Sequence, residues 1–149
     1  MPLLNEVQDQ LSGLLLTNAA RSLETILEKA QAQDWTILKT LNILLGEERK
    51  ARTDNARERR LKQASFPYVA TIEEFDFGFQ TSISKKQMNQ LLELSWLESA
   101  FNIMFLGPPS VGKTHLAVSL GIAAVNTGYS VLFIHMDQLI HALKTQEIS

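Results

Sequence analysis

Apolar residues recur every three to four positions from about residue 11 to residue 64, and that spacing predicts helices. Leu14, Leu15, Ala19, Leu23, Ile26, Leu27 and Ala30 mark the first apolar face. Asp34 stands where an N-cap belongs, ahead of a second helix carrying Ile37, Leu38, Leu41, Leu44 and Leu45, with Gly46 as a point of weakness or kinking. A third stretch, Glu47 to Ala64, is highly charged and has few apolar residues. Three helices with one apolar face each form a small bundle, so residues 1–64 read as a helical domain. Pro67 disfavours helix at Phe66 and closes that region. Residues 65–83 then read as an extended connector in which Phe75, Phe77 and Phe79 alternate.

From residue 84 the pattern changes. Ser84 opens a helix with Gln87 three residues on, the spacing of a capping box, and Met88, Leu91, Leu92 and Leu94 follow on one side. Asn102–Leu106 is a short apolar run of the kind that forms a buried strand, and Trp96 and Leu97 are expected to pack beneath it. A helical pattern spans His115–Val125, Gly128 occupies a C-cap position, and Ser130–His135 reads as a second buried strand. Asp137 is placed to cap a last helix, Gln138 to about Lys144. Strand, helix, strand predicts an α/β fold for residues 84–149.

The chemistry lies between the first strand and its helix. Gly107-Pro108-Pro109-Ser110-Val111-Gly112-Lys113-Thr114 fits G-x-x-x-x-G-K-[ST], the P-loop pattern, in the strand–loop–helix setting that the motif needs. Triphosphate is a dense anion, and backbone N–H groups at a helix N-terminus bind anions. Gly107 and Gly112 allow a close backbone approach. Lys113 would reach the β- and γ-phosphates, and the Thr114 hydroxyl would ligate Mg²⁺. The candidate ATP-binding set is Gly107, Pro108, Pro109, Ser110, Val111, Gly112, Lys113, Thr114 and His115, with Thr114 as the candidate metal ligand. Two readings of the connector phenylalanines stay open: anchors on the following domain, or an aromatic wall near the nucleotide base.

Composition narrows the rest. The 149 residues are 45% hydrophobic and 20% charged, which describes a folding sequence. Cysteine is absent, which excludes disulfides and thiolate metal sites. His115, His135 and His141 lack the spacing of a metal cluster. The first residues carry no basic segment ahead of a long apolar run, and no stretch reaches the roughly 18 apolar residues of a membrane span, so a cytoplasmic location is expected. A net charge of −2 gives no global bias toward nucleic acid. Locally, Arg49, Lys50, Arg52, Arg57, Arg59, Arg60 and Lys62 outnumber Glu47, Glu48, Asp54 and Glu58. That stretch is either a solvated face with local ion pairs or a surface for DNA phosphates.

Taken together, the chain resembles the IstB-like helper ATPases of insertion sequences, related to the DnaC-type helicase loaders within the AAA+ class. The residues that carry the resemblance are the basic helix running into Ala64-Ser65-Phe66-Pro67, then Phe75-Asp76-Phe77-x-Phe79-Gln80 and Trp96-Leu97-Glu98. The P-loop with Thr114-His115-Leu116-Ala117 and Gly128-Tyr129-x-Val131-Leu132-Phe133 complete the set. The resemblance implies a helical domain followed by an AAA+-like P-loop NTPase core, binding of ATP and Mg²⁺, self-assembly on DNA, and a partner transposase. It gives the basic helix a DNA or subunit contact. Ser110 stands where that family often has Gly. After Thr114 no apolar strand ends in Asp-Glu or Asp-Asp, and the remaining acidic residues are Asp137 and Glu147. The span from Asn102 onward has room for one βαβ unit of roughly 30 residues and one more helix. The resemblance therefore implies the N-terminal portion of such a protein, truncated after the second strand, and slow or absent ATP turnover by this chain alone. A non-catalytic remnant acting as a DNA- or protein-binding adaptor remains the alternative, as does a helicase loader.

Overall fold

The computed structural model describes residues 2–146. The helices are α1 (Pro2–Gly13), α2 (Thr17–Ala32), α3 (Ile37–Gln63), α4 (Lys85–Leu92), α5 (Ser95–Glu98), α6 (Lys113–Asn126) and α7 (Met136–Gln146), with a 3₁₀ turn at Ile72–Glu74. Two compact units are present, Met1–Ala56 and Arg57–Ser149, and their boundary falls within α3.

In the first unit, Ala19, Leu23, Ile26 and Leu44 form the core, with Leu4, Val7, Leu11, Leu16, Trp35 and Ile43 packed on it. The periodic run near residue 14 is not one helix. It breaks at Leu14 and Leu15, which are 70% and 74% exposed, and the Leu16 amide donates to the Leu11 carbonyl at 2.8 Å to close α1. Asp34 does not cap the next helix; it takes a left-handed φ of 50°. Thr36 does that work, its hydroxyl accepting from the Lys39 amide at 3.3 Å. The helix then runs through Gly46 into the charged stretch without interruption for 27 residues.

The charged stretch also holds an unexpected cap. α2 has no side-chain cap of its own. Instead Glu48 Oε2 accepts from the Asn18 and Ala19 amides at 2.9 Å each, filling two of the orphan donors of a helix N-terminus from 29 or 30 residues away. Its other oxygen accepts from Arg52 Nε at 2.7 Å, and the same guanidinium reaches the Leu15 carbonyl at 2.7 Å. Glu48 is 5% exposed. The Ala19 amide, and after it the Arg52 side chain, hold its carboxyl below the usual carboxylate value.

The second unit is built on α6, whose Leu116, Val118, Leu120, Ile122 and Val125 are buried. Ala70, Val118 and Ile122 form one cluster with Leu61, Phe66 and Phe133; Met88, Leu116 and Leu120 form another with Phe75, Phe77, Ile103 and Phe105 among others. The Ser84–Gln87 capping box forms as the spacing predicts, with the Gln87 amide 3.2 Å from Ser84 Oγ. Gly128 follows the C-cap of α6 and donates to Val125 at 3.0 Å. Asp137 lies inside the first turn of α7 rather than ahead of it.

The α/β expectation is overturned: among the described residues there is no strand and no sheet. Asn102–Leu106 and Ser130–His135 form neither helix nor ladder. A groove of about 510 Å³ has both on its walls, with Ile103, Phe105, Leu120 and Val131 in its lining. A strand needs a backbone neighbour about 4.8 Å away to bond with, and among the described residues no backbone hydrogen bond joins the two runs. Phe133 donates instead to the Ala64 carbonyl at 2.8 Å. Side chains still alternate, with Ile103, Phe105, Val131 and Phe133 half-buried and Met104, Leu106 and Leu132 exposed. The apolar runs thus have the side-chain period of strands without their hydrogen bonds. The connector is not simply extended either. It contains the 3₁₀ turn, and an Asp76 carboxylate that accepts from the Gly78 and Phe79 amides at 2.8 and 3.0 Å.

Candidate functional site

Gly107–Gly112 forms a loop, exposed over Gly107–Ser110, that leads into α6 at Lys113, as the motif predicts for its local context. The loop closes on itself. A Cβ built on Gly107 would lie 3.4 Å from Val111 Cγ2, and Val111 is half-buried, whereas Pro108, Pro109 and Ser110 are exposed. Ser110 has φ 63° and Gly112 has φ +89°. Both conformations suit glycine, which is a physical reason for Gly at either position. Gly112 is the N-cap of α6, and no side chain caps that end. The first amides of the helix have no intrahelical acceptor, and with the positive end of the helix dipole they face the loop.

Lys113 folds back over the loop. Its ammonium donates to the Gly107 and Pro108 carbonyls at 3.0 and 2.6 Å. Thr114 is exposed in the first turn of α6. His115 turns away from the loop toward the connector, its Nε2 2.9 Å from the Thr71 carbonyl, so this nitrogen carries the proton in that bond. Asp137 is exposed on α7, and Glu147 lies outside the described residues.

Sequence spacing alone does not show that the connector holds this loop. Phe75 packs edge-to-face on Phe77 with ring centroids 4.9 Å apart, and is tilted against His115 at 5.5 Å. A Cβ on Gly112 would lie 2.6 Å from Phe75 Cε2. Phe75 and Phe77 are therefore anchors on the second unit, whereas Phe79 is 83% exposed. The alternation of the three rings was a visible signal of this; which ring meets the loop was not.

The basic residues of α3 are not equivalent. Arg52 is tied to Glu48, and Arg57 Nε donates to Asn126 Oδ1 at 2.6 Å. Arg49, Lys50, Arg59 and Lys62 are exposed, and Arg60 is half-buried. No described helix is long and apolar enough to cross a membrane.

Comparison with known proteins agrees with the motif. The model of the family described as IstB-like ATP binding protein matches residues 9–149. A protein of insertion sequence IS21 from Pseudomonas aeruginosa, provisionally named as ATP-binding, is 40% identical over 140 residues, 94% of this chain and 53% of that one. Its counterpart in insertion sequence IS232 of Bacillus thuringiensis subsp. berliner is 36% identical over 143 residues, 96% of this chain and 57% of that one. An IS21-like protein of Bacteroides fragilis (strain YCH46), named in the same provisional way, is 31% identical over 144 residues, 97% of this chain and 72% of that one. The chain spans about half the length of the first two relatives. With the family model matched over nearly its whole length, this chain belongs to the family of IstB-like ATP-binding proteins.

Proposed function

We propose that the chain binds ATP through Gly107–Thr114 and serves DNA transposition, acting in the cytoplasm with DNA, a partner transposase and further copies of itself. The observation that carries the ATP reading is the N-terminus of α6. It has no side-chain cap, follows a left-handed Gly112, and has the Lys113 ammonium folded over the same loop. Orphan amides, helix dipole and a lysine ammonium on the same loop favour the same ligand, a polyphosphate. The residues fit that group: no acidic side chain stands between Gly107 and His115, and the loop is open to solvent. The amides of the first turn and Lys113 would hold the phosphates, and the Thr114 hydroxyl would supply one ligand to Mg²⁺. The metal, when bound, would neutralise phosphate charge. What these residues do themselves is bind and orient: Gly112 lets the backbone approach, and Lys113 exchanges two carbonyls for phosphate oxygens. Lys113→Ala is expected to weaken binding of labelled ATP about ten- to a hundredfold, since it removes a charge-assisted contact at a phosphate site. Equal binding by wild type and variant would refute the assignment.

The DNA reading rests on the exposed cations of α3. Non-specific binding to phosphates releases counterions, with a log–log salt slope near −0.9 per contact on duplex DNA. Replacing Arg49, Lys50 and Arg59 together by Ala should therefore reduce the magnitude of that slope by about two to three. An unchanged slope would leave α3 as a solvated helix face.

A further inference from the structure

Beside the second half of α6, at Ile122 and Asn126, lies a second cavity, of about 420 Å³. It is within the range of ligand-binding pockets, roughly 300–1,000 Å³. On α6 its lining residues are Ile122 and Asn126, with Thr71 also on the wall; none of Gly107–Thr114 lines it, so this cavity is distinct from the phosphate loop. Phe66 and Ile122 line it on the apolar side, and Arg57, Lys62 and Tyr68 line it as well. Phe66 is seated where only glycine allows: a Cβ on Gly121 would lie 2.7 Å from its ring. Arg57 is held by its Nε bond to Asn126, which uses one of five guanidinium donors and leaves the others for an anion. Tyr68 is 47% exposed. The lining contains no Asp or Glu.

Two cations, an accessible aromatic ring and an apolar wall, with no carboxylate, suit a ligand that is a flat ring at one end and an anion at the other. We propose that this cavity receives one unpaired nucleotide of a DNA strand, its base against Tyr68 and its flanking phosphates at Arg57 and Lys62. The base must be unpaired because a duplex buries the ring faces in its own stack, and single-strand sites exploit those faces with aromatic side chains. The proposal rests on the DNA reading above. To that reading's salt-dependent backbone contact it adds a site that distinguishes a single strand from a duplex. Sequence inspection finds no aromatic residue interleaved among the cations of α3; the structure supplies one from the chain just beyond Pro67.

Fluorescence anisotropy with a labelled oligothymidylate, a labelled duplex and free thymidine monophosphate as competitor tests this on the whole 149-residue chain. Tyr68→Ala should weaken single-strand binding about tenfold and leave duplex affinity unchanged, whereas Tyr68→Phe should behave as wild type. Lys62→Ala should reduce the magnitude of the single-strand salt slope by about one contact. Circular dichroism confirms that each variant is folded. The proposal is overturned if Tyr68→Ala leaves single-strand binding unchanged, if it weakens strand and duplex equally, or if Tyr68→Phe fails as Tyr68→Ala does. It is also overturned if the free monophosphate displaces the strand at equal concentration, because the ligand is then a mononucleotide. Duplex binding without Tyr68 dependence sinks this site and spares the DNA reading. Tyr68-dependent strand binding without duplex binding upholds this site and overturns only the duplex contact of the α3 cations.

Discussion

Gly112→Ala is expected to eliminate nucleotide binding and to lower the stability of the second unit. Two separate costs add at this position. The φ of +89° is a left-handed conformation that costs an L-residue about 1–2 kcal/mol. The new Cβ would also sit 2.6 Å from Phe75 Cε2, closer than any real contact, so the ring or the loop must move. Phe75 cannot move cheaply, because it packs on Phe77 and His115. The measurement is a double-mutant cycle with Phe75→Ala, read by thermal unfolding and by ATP affinity. Phe75→Ala alone should loosen the loop. Combined with Gly112→Ala it should recover the steric part of the loss and not the dihedral part. Strict additivity of the two changes would show that the ring does not touch the loop.

The second large effect is expected in the other unit. Glu48→Gln should cause the largest drop in unfolding midpoint of any single carboxylate change in Met1–Ala56, with the exposed Glu47→Gln as its control. Three donors converge on this carboxylate: two amides of α2 and the Arg52 guanidinium. A glutamine has one acceptor oxygen, so its NH₂ must face a donor on the other side. The pH dependence has a definite sign. The folded-state pKa lies below the ordinary 4.5, chiefly through the Ala19 amide and then the Arg52 bond. The stabilisation is therefore complete above about pH 4.5 and is lost as pH falls through the lower folded value. The gap between wild type and Glu48→Gln should be constant at neutral pH and close below 4.5. A gap that is the same at every pH would mean that the carboxylate is not held as the ion.

What could be read from the sequence follows the range of the forces involved. Ser84 and Gln87 were legible because a capping box is settled within three residues, and the loop preceding α6 because glycine spacing and the following helix are local. Asp34 is the expected cap because Asp is a favoured cap residue, but Thr36, two residues on, has the hydroxyl that the Lys39 amide reaches. Glu48 was illegible: within a charged run it looks like one more solvated carboxylate, and only tertiary structure puts an uncapped helix end in front of it. The apolar runs at 102–106 and 130–135 misled for the opposite reason. Continuous apolar character is local and reads as that of buried strands, but a sheet also requires a backbone partner, and no local pattern supplies one. The basic stretch divides the same way, since sequence shows seven cations and only the structure shows that Arg52 and Arg57 already have acceptors.

Lys113, folded onto the Gly107 and Pro108 carbonyls, makes the loop a competitor of any anion it would bind. A phosphate binding there would not meet a free ammonium; it would compete with two main-chain acceptors that are already satisfied. Measured affinity at this loop is then a difference between two sets of hydrogen bonds rather than the strength of one. A change that weakens the internal set without touching the incoming one would raise affinity, although it adds no contact to the ligand.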